Sequence, residues 1–145
     1  MTTKEYLSQV SRLNKLIENR IVEINQLREM CYGVKGMGTT EERVQSSPDP
    51  DKIGSMYSKI DEMERAIDED IDYYVNKKRQ IIAQIDSMKD ENLYMVLFTR
   101  YIEKKTFEVI ATEMHYSFRQ ITRLHGKALK EFEKMYGDTY LDIMS

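Results

Sequence analysis

The stretch that most constrains the fold is residues 106–131, TFEVIATEMHYSFRQITRLHGKALKE, which predicts two helices joined by a tight turn. Ile110, Ala111 and Met114 share one face of the first helix, where small Ala111 lets another helix cross closely. A second apolar stripe, at spacings of three and four residues, marks the second helix through Ile121, Leu124 and Ala128.

A start signal lies between these two helices. Ser117 is a suitable N-cap, and Gln120 three residues later completes a capping box. Tyr116 and Ile121 are spaced as the hydrophobic staple around it. A DNA-binding helix-turn-helix has this spacing, and it presents its second helix, here beginning near Phe118, to a major groove.

Residues 106–132 resemble the last part of region 4 of bacterial sigma-70-type factors, which reads the −35 promoter element. The two align without a gap and share Thr106, Glu108, Ile110-Ala111, a hydroxyl at Ser117, Ile121 and Lys127-Ala128-Leu129. From EYLSQV through RVQSS to LFTRYIEKKTF and RLHGKAL, the whole chain is similar to small phage and prophage proteins of Gram-positive bacteria. That family is grouped with phage late-gene transcription activators. The resemblance implies double-stranded DNA as a partner and RNA polymerase as a second candidate.

The exposed face after the N-cap departs from the sigma pattern of several charged residues. The predicted base-reading residues at the matching positions are Phe118, Arg119, Gln120, Thr122 and Arg123. Two basic side chains, an amide and a hydroxyl remain, so a different DNA sequence or weaker base readout is expected. Arg119 and Arg123 lie four residues apart, and arginine pairs bidentately with guanine. Gln120 cannot cap Ser117 and reach a base at the same time. His115, at the turn position where glycine is frequent, is a residue that tolerates positive φ comparatively well.

Other residues are predicted to contact DNA phosphates. Lys127 and Lys130 lie one and two turns beyond Arg123, where a helix entering the groove by its N-terminal end leaves the bases. Two further lysines flank the first helix, which usually crosses the backbone. The predicted phosphate contacts are Lys104, Lys105, Ser117, Lys127 and Lys130.

The distribution of charge is compatible with DNA binding although the net charge is −3. Residues 99–135 carry eight Lys/Arg against five Asp/Glu, whereas residues 1–98 carry 14 against 18. A modest basic patch on an acidic chain suits a selective DNA reader. A normally solvated helical surface gives a similar excess often enough that charge alone decides little.

The first 32 residues predict one long helix that begins with a capping box from Thr2 to Glu5. Its apolar stripe has heptad-like spacing and consists of Tyr6, Val10, Leu13, Ile17, Ile24, Leu27 and Cys31. Arg20 interrupts this stripe. A glycine-containing loop is predicted over residues 33–49.

A second long helix is predicted from Pro50 to about Lys89, with Asp49 as its cap. Apolar residues recur every seven positions, at Ile53, Ile60, Ile67, Tyr74, Ile81 and Met88, with companions at Met56, Met63, Ile71 and Ile85. Residues 1–90 therefore predict a long antiparallel, coiled-coil-like helical hairpin. It leaves apolar residues for a second copy at Leu16, Ile21, Tyr57 and Tyr74. We expect a homodimer.

Residues 91–137 predict a compact three-helix module. Residues 93–105, the most apolar segment, form the helix beneath the helix-turn-helix. The last helix is expected to end at Gly137 as a left-handed C-cap, and a close crossing by the helix of Ala111 would explain Gly126. An acidic tail, residues 138–145, follows. The predicted class is all-α.

Enzyme chemistry, metals and cofactors have little support in the sequence. His115 and His125 have no nearby nucleophile or ligand constellation, and the acidic residues between Asp61 and Asp72 spread over solvated faces. The single cysteine, Cys31, and the lack of a long apolar run predict a cytoplasmic protein with no membrane contact.

Three functions fit this sequence. The first is a DNA-binding transcription regulator of phage or prophage type. The second is a DNA-packaging protein of the small-terminase kind, which would form large rings. The third is a coiled-coil adaptor whose sigma-like module binds RNA polymerase, and DNA affinity separates it from the other two.

Overall fold

The computed structural model describes the backbone of residues 1–37 and 50–141 and the side chains of residues 1–30 and 54–141. The described backbone contains five α-helices: α1 (Thr3–Met37), α2 (Pro50–Asp86), α3 (Glu91–Leu97), α4 (Phe107–Met114) and α5 (Phe118–Tyr140). A π-helical segment, Phe98–Ile102, continues α3. None of the residues in the two described ranges forms a strand, which confirms the predicted all-α class.

Contacts divide the chain into two compact units. We call them the terminal unit, Met1–Asn14 with Val75–Ser145, and the middle unit, Lys15–Tyr74. The predicted domain boundary near residue 90 therefore falls inside the terminal unit. The first turns of α1 and the last turns of α2 belong with α3, α4 and α5.

The core of the terminal unit forms where α5 packs against α3 and α4. Val96, Ile110, Ala111 and Ile121 form a buried cluster, as the apolar spacing predicts. Partly buried side chains surround this cluster: Phe107, Met114, Tyr116 and Leu124. Burial of a large apolar side chain contributes about 1.5–3 kcal/mol, so Val96, Ile110 and Ile121 stabilise the contact of α5 with α3 and α4.

The first turns of α1 hold the C-terminal end of α5. The rings of Tyr6 and Tyr140 stack with centroids 4.3 Å apart, and Thr3 Oγ1 lies 2.7 Å from the Tyr140 hydroxyl. Phe132 is fully buried, and the centroid of its ring lies 6.0 Å from that of Tyr6. These contacts favour helix as far as Tyr140. The predicted C-cap at Gly137 is wrong, since Gly137 is a buried residue inside α5 and no described glycine has a positive φ.

In the middle unit, apolar side chains of α1 pack against apolar side chains of α2. Ile24 and Leu27 of α1 form a buried cluster with Ile60 and Ile67 of α2, and Ile71 packs against it. In this unit the paired segments run in opposite directions. Arg20 Nε lies 3.2 Å from the Asp70 carboxylate, and Arg28 Nε lies 3.7 Å from the Glu64 carboxylate. The charged Arg20 side chain, which interrupts the apolar stripe of α1, thus forms an ion pair with Asp70 of α2.

Several predicted element boundaries are wrong. Helix α1 continues through Gly33 and Gly36 to Met37, because an isolated glycine weakens a helix by about 1 kcal/mol without ending it. The remainder of the predicted loop, residues 38–49, lies outside the described residues. Helix α2 ends at Asp86, where Ser87 Oγ donates to the Gln84 carbonyl at 2.6 Å. The acidic tail predicted from residue 138 begins as the last turn of α5.

Two side-chain predictions also differ from the structure. Met56 and Met63, expected beside the isoleucine stripe, are 38% and 52% exposed. A Cβ atom added at Gly126 would meet no heavy atom within 4 Å, so no close helix crossing explains that glycine.

Candidate nucleic-acid interface

Helix α4 and the turn after it have well-defined ends. The Thr106 hydroxyl accepts a hydrogen bond from the Val109 amide at 3.3 Å and caps the helix. His115 adopts the left-handed conformation, with φ 59° and ψ 39°, as predicted for the turn position. The Tyr116 amide then donates to the Ala111 carbonyl at 2.9 Å, and this bond closes the turn.

The start of α5 is fixed by the predicted capping box. The backbone N–H of Gln120 donates to Ser117 Oγ at 3.1 Å, and the backbone N–H of Ser117 donates to Gln120 Oε1 at 2.9 Å. Reciprocal capping of this kind satisfies two amides that the helix itself leaves unpaired. An N-cap hydroxyl contributes about 1 kcal/mol. These bonds fix the backbone of the first turn of α5, from which the outward side chains project.

The outward face of α5 is basic. Arg119 and Arg123 are exposed and lie one turn apart, and the opposite face is buried through Ile121, Ala128 and Phe132. We call the surface that carries these two arginines the arginine face. Lys127 and Lys130 are also exposed and continue the basic side chains along α5. The arrangement could present guanidinium groups to base edges and ammonium groups to phosphates.

The three polar groups among the predicted DNA contacts at the start of α5 are already hydrogen-bonded within the helix. Gln120 Oε1 and Ser117 Oγ serve the capping box, and Thr122 Oγ1 donates to the Arg119 carbonyl at 2.8 Å. These bonds turn the three side chains towards their own helix, although the Ser117 proton, the Gln120 NH2 group and the Thr122 lone pairs are not used in them. Arg119 and Arg123 are the charged base-reading candidates, and both are exposed.

Phe118, the first residue of α5, is half exposed. Its ring meets the ring of Phe107 edge-to-face, with centroids 6.2 Å apart and an interplanar angle of 83°. Val109 of α4 is 44% exposed and Phe118 is 50% exposed. Two large apolar side chains are therefore available to a binding partner next to the basic side chains.

The two lysines before α4 have different surroundings. Lys105 Nζ lies 2.8 and 2.9 Å from the two carboxylate oxygens of Glu113 and 3.0 Å from a carboxylate oxygen of Glu103. The hydrogen bond to Glu113 and then that to Glu103 raise the pKa of Lys105. Lys104 is exposed and has a positive φ of 60°. The predicted phosphate role of Lys105 must compete with these ion pairs, whereas Lys104 faces solvent.

The segment before these lysines is not the regular helix that its apolar pattern predicts. The Glu103 amide donates to the Phe98 carbonyl at 3.1 Å, a π-helical bond. Buried Thr99 donates its hydroxyl to the Met95 carbonyl at 2.6 Å, and such bonds bend helices. Arg100 closes the segment, with Nη1 donating to the Lys105 carbonyl at 3.1 Å. A threonine inside an apolar run was the available signal for this irregularity.

A buried pair behind the interface was not predicted. His125 Nε2 lies 2.7 Å from the Tyr101 hydroxyl, and the ring of Phe107 packs edge-on against the imidazole at 4.9 Å. Burial, followed by the positive charges of Lys4 and Arg100, lowers the pKa of His125 to about 4. Burial raises the pKa of Tyr101 to about 12. The pair is therefore neutral near pH 7 and ties α5 to the π-helical segment.

The position of His125 could have been found from the sequence. It lies four residues after Ile121 and three before Ala128, which places it on the buried face of α5. Its role here is to satisfy a buried phenol, and both partners would otherwise carry an unpaired polar group.

Comparison with protein-family models, with curated proteins and with solved structures finds no match to this chain. Across residues 1–37 and 50–141, no helix is long and apolar enough to span a membrane. Among the side chains of residues 1–30 and 54–141, no three or more His, Cys, Asp or Glu are grouped so that they could hold a metal ion.

Proposed function

We propose that this protein is a DNA-binding transcription regulator of phage or prophage type. In this proposal α4, the turn at His115 and α5 form a helix-turn-helix similar to sigma-70 region 4, and α5 enters the major groove by its N-terminal end. The long helices α1 and α2 form the hairpin through which two copies associate. The proposal includes no catalysis and no cofactor.

The observation that carries this proposal is the arginine face. Arg119 and Arg123 project from the first turns of a helix whose N-terminus is fixed by a capping box. Arginine recognises the O6 and N7 atoms of guanine through two parallel hydrogen bonds. A rigidly held helix start lowers the entropy cost of placing both guanidinium groups in the groove.

The surface of the middle unit supports association with a second copy. Large apolar side chains that are more than a third exposed recur along its two helices: Ile21, Val22, Met30, Met56, Tyr57, Met63 and Tyr73. Leu27, Met30, Met63 and Ile67 line one apolar groove. Helix-turn-helix proteins commonly bind as dimers, which place two recognition helices in successive major grooves. A second copy bound to this surface would bury these apolar side chains and supply the second recognition helix.

The decisive experiment selects bound fragments from random duplex DNA with the full-length protein and then measures affinity for the selected sequence. Arg119→Ala and Arg123→Ala should each weaken binding to that sequence by about 1–3 kcal/mol and relax the preference at one base pair. The double arginine variant, Arg119→Ala with Arg123→Ala, is compared with a control that removes the same charge from two exposed basic residues of α2, Lys77→Ala with Arg79→Ala. Equal losses in the two double variants would contradict base reading by the arginine face.

One observation favours a second candidate, the adaptor that binds RNA polymerase. Phe118 and Val109 are exposed apolar side chains beside the predicted DNA contacts, and such side chains are more typical of a protein interface than of a phosphate-facing surface. If this candidate is correct, Phe118→Ala and Val109→Ala will reduce binding to the polymerase of the host. The unaltered protein will then select no duplex sequence.

A further inference from the structure

A cavity of about 270 Å³ lies between the first turns of α1 and the π-helical segment. We call it the cationic cavity, and the residues that line it are Lys4, Ser8, Ser11, Arg100, Tyr101 and Lys104. Three of these six side chains carry a positive charge, and none of the six is acidic. A concave site with this composition suits an anion.

Helix geometry explains why these side chains meet. Lys4, Ser8 and Ser11 are four and three residues apart, so they share one face of α1. The adjoining side of the same turns is buried through Tyr6, Leu7 and Val10, which holds that face in place. Lys4 also lies in the first turn of α1, where the helix dipole adds positive potential.

The second wall comes from the end of the π-helical segment. Arg100 lies on this segment, and Lys104 follows it in the left-handed conformation, with φ 60°. A non-glycine residue pays about 1–2 kcal/mol for this conformation. The segment therefore holds Lys104 next to Arg100 at some cost in stability.

The donors of the cavity remain largely available to a ligand. Ser8 Oγ donates to the Lys4 carbonyl at 2.6 Å, which uses its proton, whereas Ser11 is exposed. Arg100 uses one N–H group on the Lys105 carbonyl, and the others of its planar fork can reach an anion. Guanidinium, ammonium and hydroxyl donors together are the set that proteins use to bind phosphate.

The charges of the two walls act on a common point. Lys4 and Arg100 both lower the pKa of buried His125, although burial is the larger cause. The two walls therefore both contribute positive potential at His125, whose hydrogen-bond partner Tyr101 lines the cavity. An anion in the cavity would relieve the repulsion between these cations.

Two contacts connect the cavity to the start of α5. The Arg100 guanidinium lies 4.4 Å from the centroid of the Phe107 ring, and that ring lies 6.2 Å from the ring of Phe118. The major groove of B-DNA is about 12 Å wide, so a helix inside it has a strand backbone within a similar distance on either side. Through these contacts Arg100, which lines the cavity, adjoins the side chains at the start of α5.

We propose that the cationic cavity holds a backbone phosphate of the duplex whose major groove receives the start of α5. The inference rests on the proposed function and adds Lys4, Ser11 and Arg100 to the DNA contacts, beside Lys104. The first turns of α1, which the sequence assigns only to the helical hairpin, then also position the protein on DNA without reading sequence.

The test compares Lys4→Gln with Lys15→Gln in the full-length protein, using the selected duplex and a random duplex at several salt concentrations. Both substitutions remove one charge from an exposed lysine of α1, but Lys15 does not line the cavity. Lys4→Gln should weaken binding to both duplexes several-fold and by the same factor. It should also flatten the slope of log affinity against log salt concentration by about one unit. Ser11→Glu, which introduces a negative charge into the cavity, should weaken both duplexes further. Lys15→Gln should leave affinity and slope unchanged.

Each other outcome overturns the inference in a recognisable way. If Lys4→Gln behaves like Lys15→Gln while the double arginine variant still loses affinity, the cavity does not contact DNA and the proposed function stands. If pyrophosphate binds the unaltered protein, Lys4→Gln abolishes that binding, and duplex affinity stays unchanged, the cavity serves a free phosphorylated ligand instead. If the unaltered protein binds no duplex at all, the proposed function fails and this inference fails with it.

Discussion

The Tyr101 hydroxyl lies 2.7 Å from Nε2 of His125, and this buried hydrogen bond joins the π-helical segment to α5. The imidazole is held uncharged because burial and two nearby cations lower its pKa to about 4. The recognition helix of the proposed motif is therefore attached to its support through a group that can take up a proton. Protonation would place an uncompensated charge in the core.

The stability of the protein should depend on pH through His125. The ordinary pKa of histidine is 6.5, so in the unfolded chain His125 binds a proton below about that pH. In the folded protein the same side chain stays unprotonated until the pH falls to about 4. The free energy of unfolding therefore falls as pH decreases from about 6.5 towards 4. Between pH 7 and pH 5 we expect a loss of about 2 kcal/mol in urea denaturation followed by circular dichroism.

His125→Gln provides the control for this pH dependence. The variant keeps a hydrogen-bonding side chain near Tyr101 but has no group that titrates in this range. It should be less stable than the unaltered protein at pH 7 and should lack about 2 kcal/mol of the pH dependence. An unchanged difference between pH 7 and pH 5 in the variant would show that other groups cause the effect.

Packing of α1 against α5 should make the helices of the proposed DNA-binding module depend on the N-terminus. Leu7 is fully buried in the terminal unit, whereas Ile21 in the middle unit is 47% exposed. Leu7→Ala should lower the free energy of unfolding by about 2–5 kcal/mol, because it leaves a cavity in the core of the terminal unit. Ile21→Ala is the matched control and should cost much less in the same urea titration. Similar losses would mean that the first turns of α1 do not stabilise the terminal unit.

Local signals in the sequence were sufficient for the elements around the candidate site. The capping box at Ser117 and the left-handed turn at His115 depend only on neighbouring residues, so their chemistry could be read directly. The burial of Val96 and Ile121 followed from helical spacing. These predictions required no knowledge of which elements meet.

The features that were not predicted depend on contacts between residues far apart in the chain. Gly137 has the sequence of a C-cap, but Tyr140 three residues later packs on Tyr6 near the other end of the chain and keeps the segment helical. The cationic cavity likewise joins Lys4 to Arg100, which lie far apart in the chain. Periodicity identifies which face of a helix is buried and not which element covers it.

The exposed methionines of the middle unit should control association between copies. Met30 and Met63 are each 52% exposed and line the same apolar groove. Replacing both by Glu should shift sedimentation towards the 17.2 kDa monomer at micromolar concentration, because a dimer would have to bury two new charges from each copy. Met135→Glu, on the exposed side of α5, should leave the sedimentation unchanged. A dimer that survives the double substitution would place the interface elsewhere.

Gly126 should be replaceable by alanine with a gain in stability. It is an interior residue of α5, and an added Cβ would meet nothing within 4 Å. Alanine favours a helix interior over glycine by up to about 1 kcal/mol, since it restricts the unfolded chain and adds no clash. Gly54→Ala in α2 has equally open surroundings and should give a gain of the same sign in urea denaturation. A different outcome is that Gly126→Ala lowers the free energy of unfolding where the protein self-associates but not after dilution, while Gly54→Ala does not lower it at either concentration. In that case a second copy must pack against the face of α5 that carries Gly126.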